Sequence, residues 1–396
     1  MSREEERARK KLEKNPVVEC NKIQKKFYPE LFQRFAQVND PRNQSYIEYS
    51  AKTMLGTLYY KSIGGIPSMQ EMTRKFNDEK TVENLYFFMG DPVKEYLPHG
   101  VTENEFLERL DPENLENIQK EIAYTMIRRK TFEDARVLKK WQVLIDATEL
   151  DEGYRKKNDS YLSRCYNRGE AEEFIKYHRS VLKAKLYLGN NLVCSIASEP
   201  IENSEEYIHQ REEKIKQDCE SKAFIRLAGK IKKSFPRLPI IITADGLYVS
   251  QKVIQISEYR CKFDLLQRKE NRDRWERKKT EFAWITNIPI TKSNAKKIVK
   301  AGRNRWKIEN QGFNRQKHWQ GNIEHACSWN ERAQKNHYLM EQIADFIKQL
   351  YEYFYLERNE IKKPQKNISS ELLASFGRQL TKPEDIPARL NDSALN

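Results

Sequence analysis

The chain has no apolar run approaching the roughly 18 residues of a membrane span, so no transmembrane helix is expected. Met1 to Lys14 is a charged mix with no apolar centre, and a secretory signal is therefore not expected either. The six cysteines (Cys20, Cys165, Cys194, Cys219, Cys261 and Cys327) are scattered and include no Cys-x-x-Cys pair, which fits reduced thiols in a cytoplasmic protein. Ser, His and Asp fall into no recognisable nucleophile arrangement. His318, His325, Cys327 and His337 match no familiar zinc spacing. Tyr177-His178 reads as packing rather than as a phosphate contact. Acidic residues are the scarcer charge: 58 Asp and Glu face 72 Lys and Arg, giving a net charge of +14 and a pI near 9.2.

What is present is a polar, strongly basic chain of 396 residues, 38% hydrophobic and 33% charged, long enough for two or three domains with a sizeable core. Such a balance favours a polyanionic partner. The basic residues are concentrated between Lys262 and Lys317, where Arg268, Arg274, Lys278, Lys300, Arg303 and Arg305 alternate with Trp275, Trp284 and Trp306. Phosphate contacts with base stacking use this mixture.

Residues 1–135 read as a helical N-terminal region, suited to DNA binding or dimerisation. Tyr46 to Tyr60 carries apolar residues at helical spacing. Ser68 and Glu71 form a capping-box pattern, and Ile118, Ile122, Met126 and Ile127 share one face of a helix over Asn114 to Arg129. The character changes at Trp141. Gln142 to Ile145, Phe174 to Leu188 and Leu192 to Ile196 are strand-like; Glu205 to Ser234 is a charged helix. Ile240 to Thr243 is almost wholly apolar, as in the middle of a sheet. A helix from Ser250, strands at Cys261 to Leu266 and Phe282 to Thr286, and helices from Ser293 through Glu309 follow. This order predicts an α/β layout over 136–358, a mixed sheet flanked by helices. Glu331 to Glu357 reads as an amphipathic helix with Leu339, Ile343, Phe346, Ile347, Leu350 and Phe354 on its apolar stripe. Residues 359–396 read as a polar, loosely ordered tail.

Three carboxylates stand out. Asp146 closes the apolar run Val143-Leu144-Ile145, where a buried carboxylate needs a partner or a metal. Asp245 follows Ile240 to Ala244, at the carboxyl end of a strand, where α/β sheets place ligands. Glu309 falls in a helical stretch, four residues after Arg305 and beside Trp306 and Phe313, which are expected to anchor it to the core. Taken singly, these are also a strand-end cap, an Asp-Gly turn and a surface ion pair. Together they form an all-oxygen set suited to Mg²⁺ or Mn²⁺. Two such ions, roughly 3.5–4 Å apart, can activate an attacking oxygen and stabilise a leaving one in phosphodiester displacement.

Around these residues the chain resembles bacterial insertion-sequence transposases of the Asp-Asp-Glu class, whose catalytic domain is RNase H-like. The likeness rests on Leu144-Ile145-Asp146-Ala147-Thr148, on Ile242-Thr243-Ala244-Asp245-Gly246-Leu247-Tyr248, and on Arg303, Arg305, Trp306, Ile308, Glu309 and Asn310. It extends through Trp284-Ile285-Thr286-Asn287 and Asn336-His337, and upstream to Asp40-Pro41-Arg42 and Ile66-Pro67-Ser68. It implies that Asp146, Asp245 and Glu309 bind two Mg²⁺ (or Mn²⁺) ions. It also implies that the substrate is double-stranded DNA, element ends and target alike, and that the protein acts as a homodimer on paired ends in the bacterial cytoplasm at the nucleoid. Arg303, Arg305 and Lys317, with Arg274 and Lys278, are the implied DNA ligands. One branch of the family carries a Tyr, Arg, Glu, Lys signature; here Arg305 and Glu309 match, the Tyr position is Gly302, and the Lys position is Gln316 with Lys317 next to it. Two other readings share the same residues: a transposase-derived DNA-binding protein that no longer cleaves, and an RNase H-like nuclease.

Overall fold

In the computed structural model, residues 15–203, 217–245, 257–268 and 275–386 are described. Among the described residues seven α-helices precede the sheet: α1 (Pro16–Phe27), α2 (Leu31–Ala36), α3 (Ala51–Ile63), α4 (Met69–Lys75), α5 (Glu79–Met89), α6 (Gly100–Arg109) and α7 (Pro112–Arg128). Their starts are written in the sequence. Ser50, Ser68, Asp78 and Asp111 each accept a hydrogen bond from a first-turn backbone N–H, satisfying donors that a helix leaves open.

The sheet follows: β1 (Trp141–Gly153), β2 (Leu162–Tyr166), β3 (Phe174–Tyr187) and β4 (Val193–Ile201), then α8 (Glu220–Ser234) and β5 (Ile240–Thr243). The strand order is β2-β3-β1-β5, with β4 also paired to β3. β1 runs antiparallel to β3 and parallel to β5, so the sheet is mixed and helices flank it. Among the described residues β5 is an edge strand, not the central one expected. Its only partner is β1, and Ile242 is 43% exposed. Among the described residues β6 (Ser257–Arg268) and β7 (Trp275–Thr286) pair with each other, as a separate antiparallel ribbon, instead of adding strands to the main sheet. The helix expected from Ser250 lies outside the described residues.

The chain then forms α9 (Ala295–Asn304), a π-helical turn (Ile308–Phe313), α10 (Asn314–His318), α11 (Glu331–Tyr351), a second π-helical turn (Glu352–Glu357) and α12 (Gln365–Ser375). The expected apolar stripe of α11 is buried, but so is its polar face: Gln334, Asn336, His337, Glu341, Gln342, Asp345, Lys348 and Gln349 are all inside. The reason is tertiary. α1, α3, α6 and α7 pack around α11 on one side and β4 on another, so one apolar cluster runs from Val17 and Leu58 through Ile145 and Leu227 to Ile343 and Leu372. The segment expected to be a loose tail contributes α12, whose Ile368 and Leu372, with Phe376 just beyond, are buried against it.

Burying that polar face is tolerable because most of its groups find partners. Asn336 Nδ2 donates to the carbonyls of Leu107 and Leu110 at 2.9 and 2.7 Å, closing the end of α6. Lys348 Nζ donates to Ser62 O at 2.8 Å and Gln320 O at 3.0 Å. Asn336→Ala removes a donor from two buried carbonyls, and we expect it to lower stability by about 2 kcal/mol, read as a shift in the urea unfolding midpoint with unchanged slope.

Candidate active site

The parallel pairing of β1 and β5 runs from Trp141 opposite Ile240 to Leu144 opposite Thr243. Asp146 lies two residues past Leu144 and Asp245 two past Thr243, so the register brings both to the same level of the sheet. The two are not alike. Asp146 does not end its strand as expected: β1 continues to Gly153, and Asp146 stands opposite Lys183 of β3. Asp245 lies beyond the end of β5, its side chain 53% exposed. Gln142, wholly buried, ties this corner together. Its Nε2 donates to Thr243 Oγ1 at 2.8 Å and to Ala301 O at 2.7 Å, and its Oε1 accepts from Asn304 Nδ2 at 2.9 Å. That network seats α9 over the β1–β5 pair.

Beyond α9 the helix is irregular. Arg305 N–H donates to Gly302 O and Ile308 N–H to Arg305 O, both three-residue spans, before the wider π turn begins. Irregular turns of this kind re-aim side chains and recur at functional sites. Ile308 and Phe313 are buried with Leu144 and Val193. They, and not Trp306, hold the turn to the sheet; Trp306 is 52% exposed. Hydrogen bonds spanning five residues bring Ile308 and Phe313 to one face, a pairing that regular α-helical spacing does not reveal. At Gly312 the backbone approaches Lys185 so closely that an added Cβ would lie 3.1 Å from its Nζ. Glu309, on the outward side of the turn, is exposed.

The electrostatics join the three carboxylates. Burial pushes the Asp146 carboxyl up to about 6. Arg305 and the Ala147 N–H oppose this, while the charges of Glu309 and Asp245 add to it. Asp146 thus feels the charge of two acids from two other elements, a condition that a bound cation relieves. Part of the relief is internal: Arg305 Nη1 lies 3.3 Å from Asp146 Oδ2 and 3.7 Å from Asp245 Oδ2. Among the described residues no three His, Cys, Asp or Glu side chains are placed to hold a metal ion as they stand. The donor set is nonetheless all oxygen, as Mg²⁺ and Mn²⁺ prefer.

The other expected residues divide. Arg303 is exposed on the last turn of α9. Lys317 forms an ion pair with Glu324 at 2.9 Å. Gln316, at the position where the signature has Lys, is buried and donates to Asp345 Oδ2 at 2.7 Å. Arg274 lies outside the described residues, and Lys278 is on β7 opposite Leu265. His325, Cys327 and His337 do converge: Cys327 Sγ is 3.7 Å from His325 Nδ1 and 3.2 Å from His337 Nε2. Lys61 Nζ, however, sits 2.9 Å from the same Nε2, on the face a metal would use. His318 is not among the contacts of this group; its ring meets Trp319. His178 is buried, in keeping with packing.

Sequence reasoning missed the cations beneath the site. Lys183 and Lys185 are fully buried on β3. Arg315 is fully buried too, donating to Asp345 Oδ1 at 2.8 Å and to Glu352 at 2.7 and 2.8 Å. Only alternation along Lys183-Ala184-Lys185 hinted that these lysines share a face.

No protein-family model matches the chain, and no curated protein does. Among solved structures, the chain is similar to piggyBac transposase in a synaptic complex with hairpin DNA. The identity is 13% and the TM-score 0.34, over 92% of this chain and 80% of that one. Among the described residues no helix is long and apolar enough to cross a membrane.

Proposed function

We propose that the protein is a transposase of the Asp-Asp-Glu class, cutting DNA at element ends and joining the released 3′-hydroxyl to target DNA. The observation that carries this reading is the β1–β5 register, which levels Asp146 with Asp245 beside a helix that brings up Glu309. The sequence around each of the three resembles the motifs of that class, with Gly302 and Gln316 at the Tyr and Lys positions of one branch, and the basic stretch beside Glu309 supplies charge for phosphate contacts. The sheet order and flanking helices are compatible with an RNase H-like core.

In this reading Asp146, Asp245 and Glu309 would hold two Mg²⁺ or Mn²⁺ ions. When bound, these ions activate the attacking oxygen and stabilise the leaving 3′-oxygen at phosphorus. The chain's own part is positional. Gln142 fixes α9 on the sheet, Ile308 and Phe313 fix the turn that bears Glu309, and Arg303 and Arg305 face the phosphate backbone. The exposed Trp306 lies beside them, able to stack on a base. Two DNA ends must be handled together, so the active species on DNA is at least a dimer.

The test is strand transfer. A labelled duplex carrying the DNA sequences that flank the reading frame, incubated with protein, Mg²⁺ and plasmid, should yield nicked ends and joined products. Nicking without any joining would point to a nuclease instead. Binding without either would point to a silent derivative.

A further inference from the structure

The guanidinium of Arg305 stands where the proposed site needs its carboxylates free. It reaches Asp146 at 3.3 Å and Asp245 at 3.7 Å, and its side chain keeps 25% exposure, enough to be met from solvent by a phosphate. It springs from the junction between α9 and the π turn, where Arg305 N–H and Ile308 N–H make hydrogen bonds of three-residue span. A guanidinium forms bidentate pairs with phosphate as well as with carboxylate.

Resting on the reading above, we propose that Arg305 makes cation loading conditional on DNA. In the free protein it pairs with Asp146 and Asp245. A backbone phosphate arriving at the site takes the guanidinium over, and the two carboxylates become available to divalent ions. The exchange is a swap of ion pairs, with no covalent step. By linkage, DNA must then tighten metal binding by the same factor by which metal tightens DNA binding. The consequence is protective: a chain without DNA does not hold an armed metal site.

The experiment measures Mn²⁺ binding to the full chain by the electron paramagnetic resonance signal of free Mn²⁺. It compares the protein alone with the protein plus a random-sequence duplex, since phosphate contacts are sequence-independent. In the wild type the duplex should tighten Asp146-dependent Mn²⁺ binding ~10-fold. Arg305→Gln should bind Mn²⁺ ~10-fold tighter without DNA, and the duplex should add little more. Asp146→Asn defines the signal that belongs to the site, and thermal melts confirm that each variant folds. If Arg305→Gln binds Mn²⁺ no tighter than the wild type while Asp146→Asn still abolishes binding, the exchange is wrong and the metal site stands. If no protein shows Asp146-dependent binding with or without DNA, both the exchange and the proposed metal chemistry fall.

Discussion

Asp146→Asn is expected to reduce metal-dependent DNA cleavage by on the order of 10³-fold or more, while leaving the protein folded and more stable near neutral pH. The loss follows because a carboxamide is a poor ligand for a hard cation, and a metal's stabilisation of the transition state is worth several kcal/mol. The gain in stability follows from the environment. The Asp146 carboxyl titrates near 6 in the folded chain, chiefly because it is buried, against an ordinary value of 3.8. Between those values the folded protein holds a proton that the unfolded chain has lost, so stability rises as pH falls from about 7 towards 4. At pH 7 and above, the wild type carries the full penalty of an ionised buried acid. With allowance for solvent screening at a site still one-fifth exposed, this is about 1–2 kcal/mol. The variant should therefore unfold at higher urea than the wild type at pH 7.5, in metal-free buffer. The two should converge near pH 4. A variant that is inactive but equally stable at both pH values would mean that Asp146 is not under this strain. One that retains cleavage would remove Asp146 from the chemistry.

The second large effect is structural. Arg315→Met should destabilise the fold by about 3 kcal/mol, because it takes the paired guanidinium away from Asp345, whose side chain is 2% exposed. Asp345 is held well within its ionised range by Arg315, Lys185 and Lys348 acting against burial. The neighbouring Gln316 and Gln349 amides also donate to it, at 2.7 and 2.9 Å. Chemical unfolding of Arg315→Met beside the double variant Arg315→Met, Asp345→Leu separates the causes. Removing both charges should restore much of the loss. A single variant as stable as the wild type would mean that solvent reaches Asp345.

This buried network also bears on the candidate site, through Lys185. Its Nζ faces the backbone of the π turn at Gly312 and the ring of Phe313, and its charge acts on Asp345. The core of α11 and the turn that carries Glu309 therefore meet at one lysine.

Several features were legible in the sequence because they depend on neighbours along the chain. The cap at Ser68, the strand at Gln142 to Ile145, and the candidacy of Asp146, Asp245 and Glu309 all rest on local pattern. The mixed sheet flanked by helices followed from the order of those elements. Other features were set by distant partners. Trp306 looked like the anchor because seven residues separate it from Phe313, a helical spacing; a π turn shifted the phase and gave that role to Ile308. α11 looked amphipathic because its polar residues alternate with apolar ones. Nothing local says that Lys61, Arg315, Gln316 and the carbonyls of α6 wait to receive them. The sequence by itself thus singled out Asp146, Asp245 and Glu309 as candidates and set the basic charge of the stretch beside Glu309. Only the tertiary structure decided that Asp146 and Asp245 share one level and that Arg305 lies between them, because strand register and a helix irregularity are properties of packing between segments some hundred residues apart.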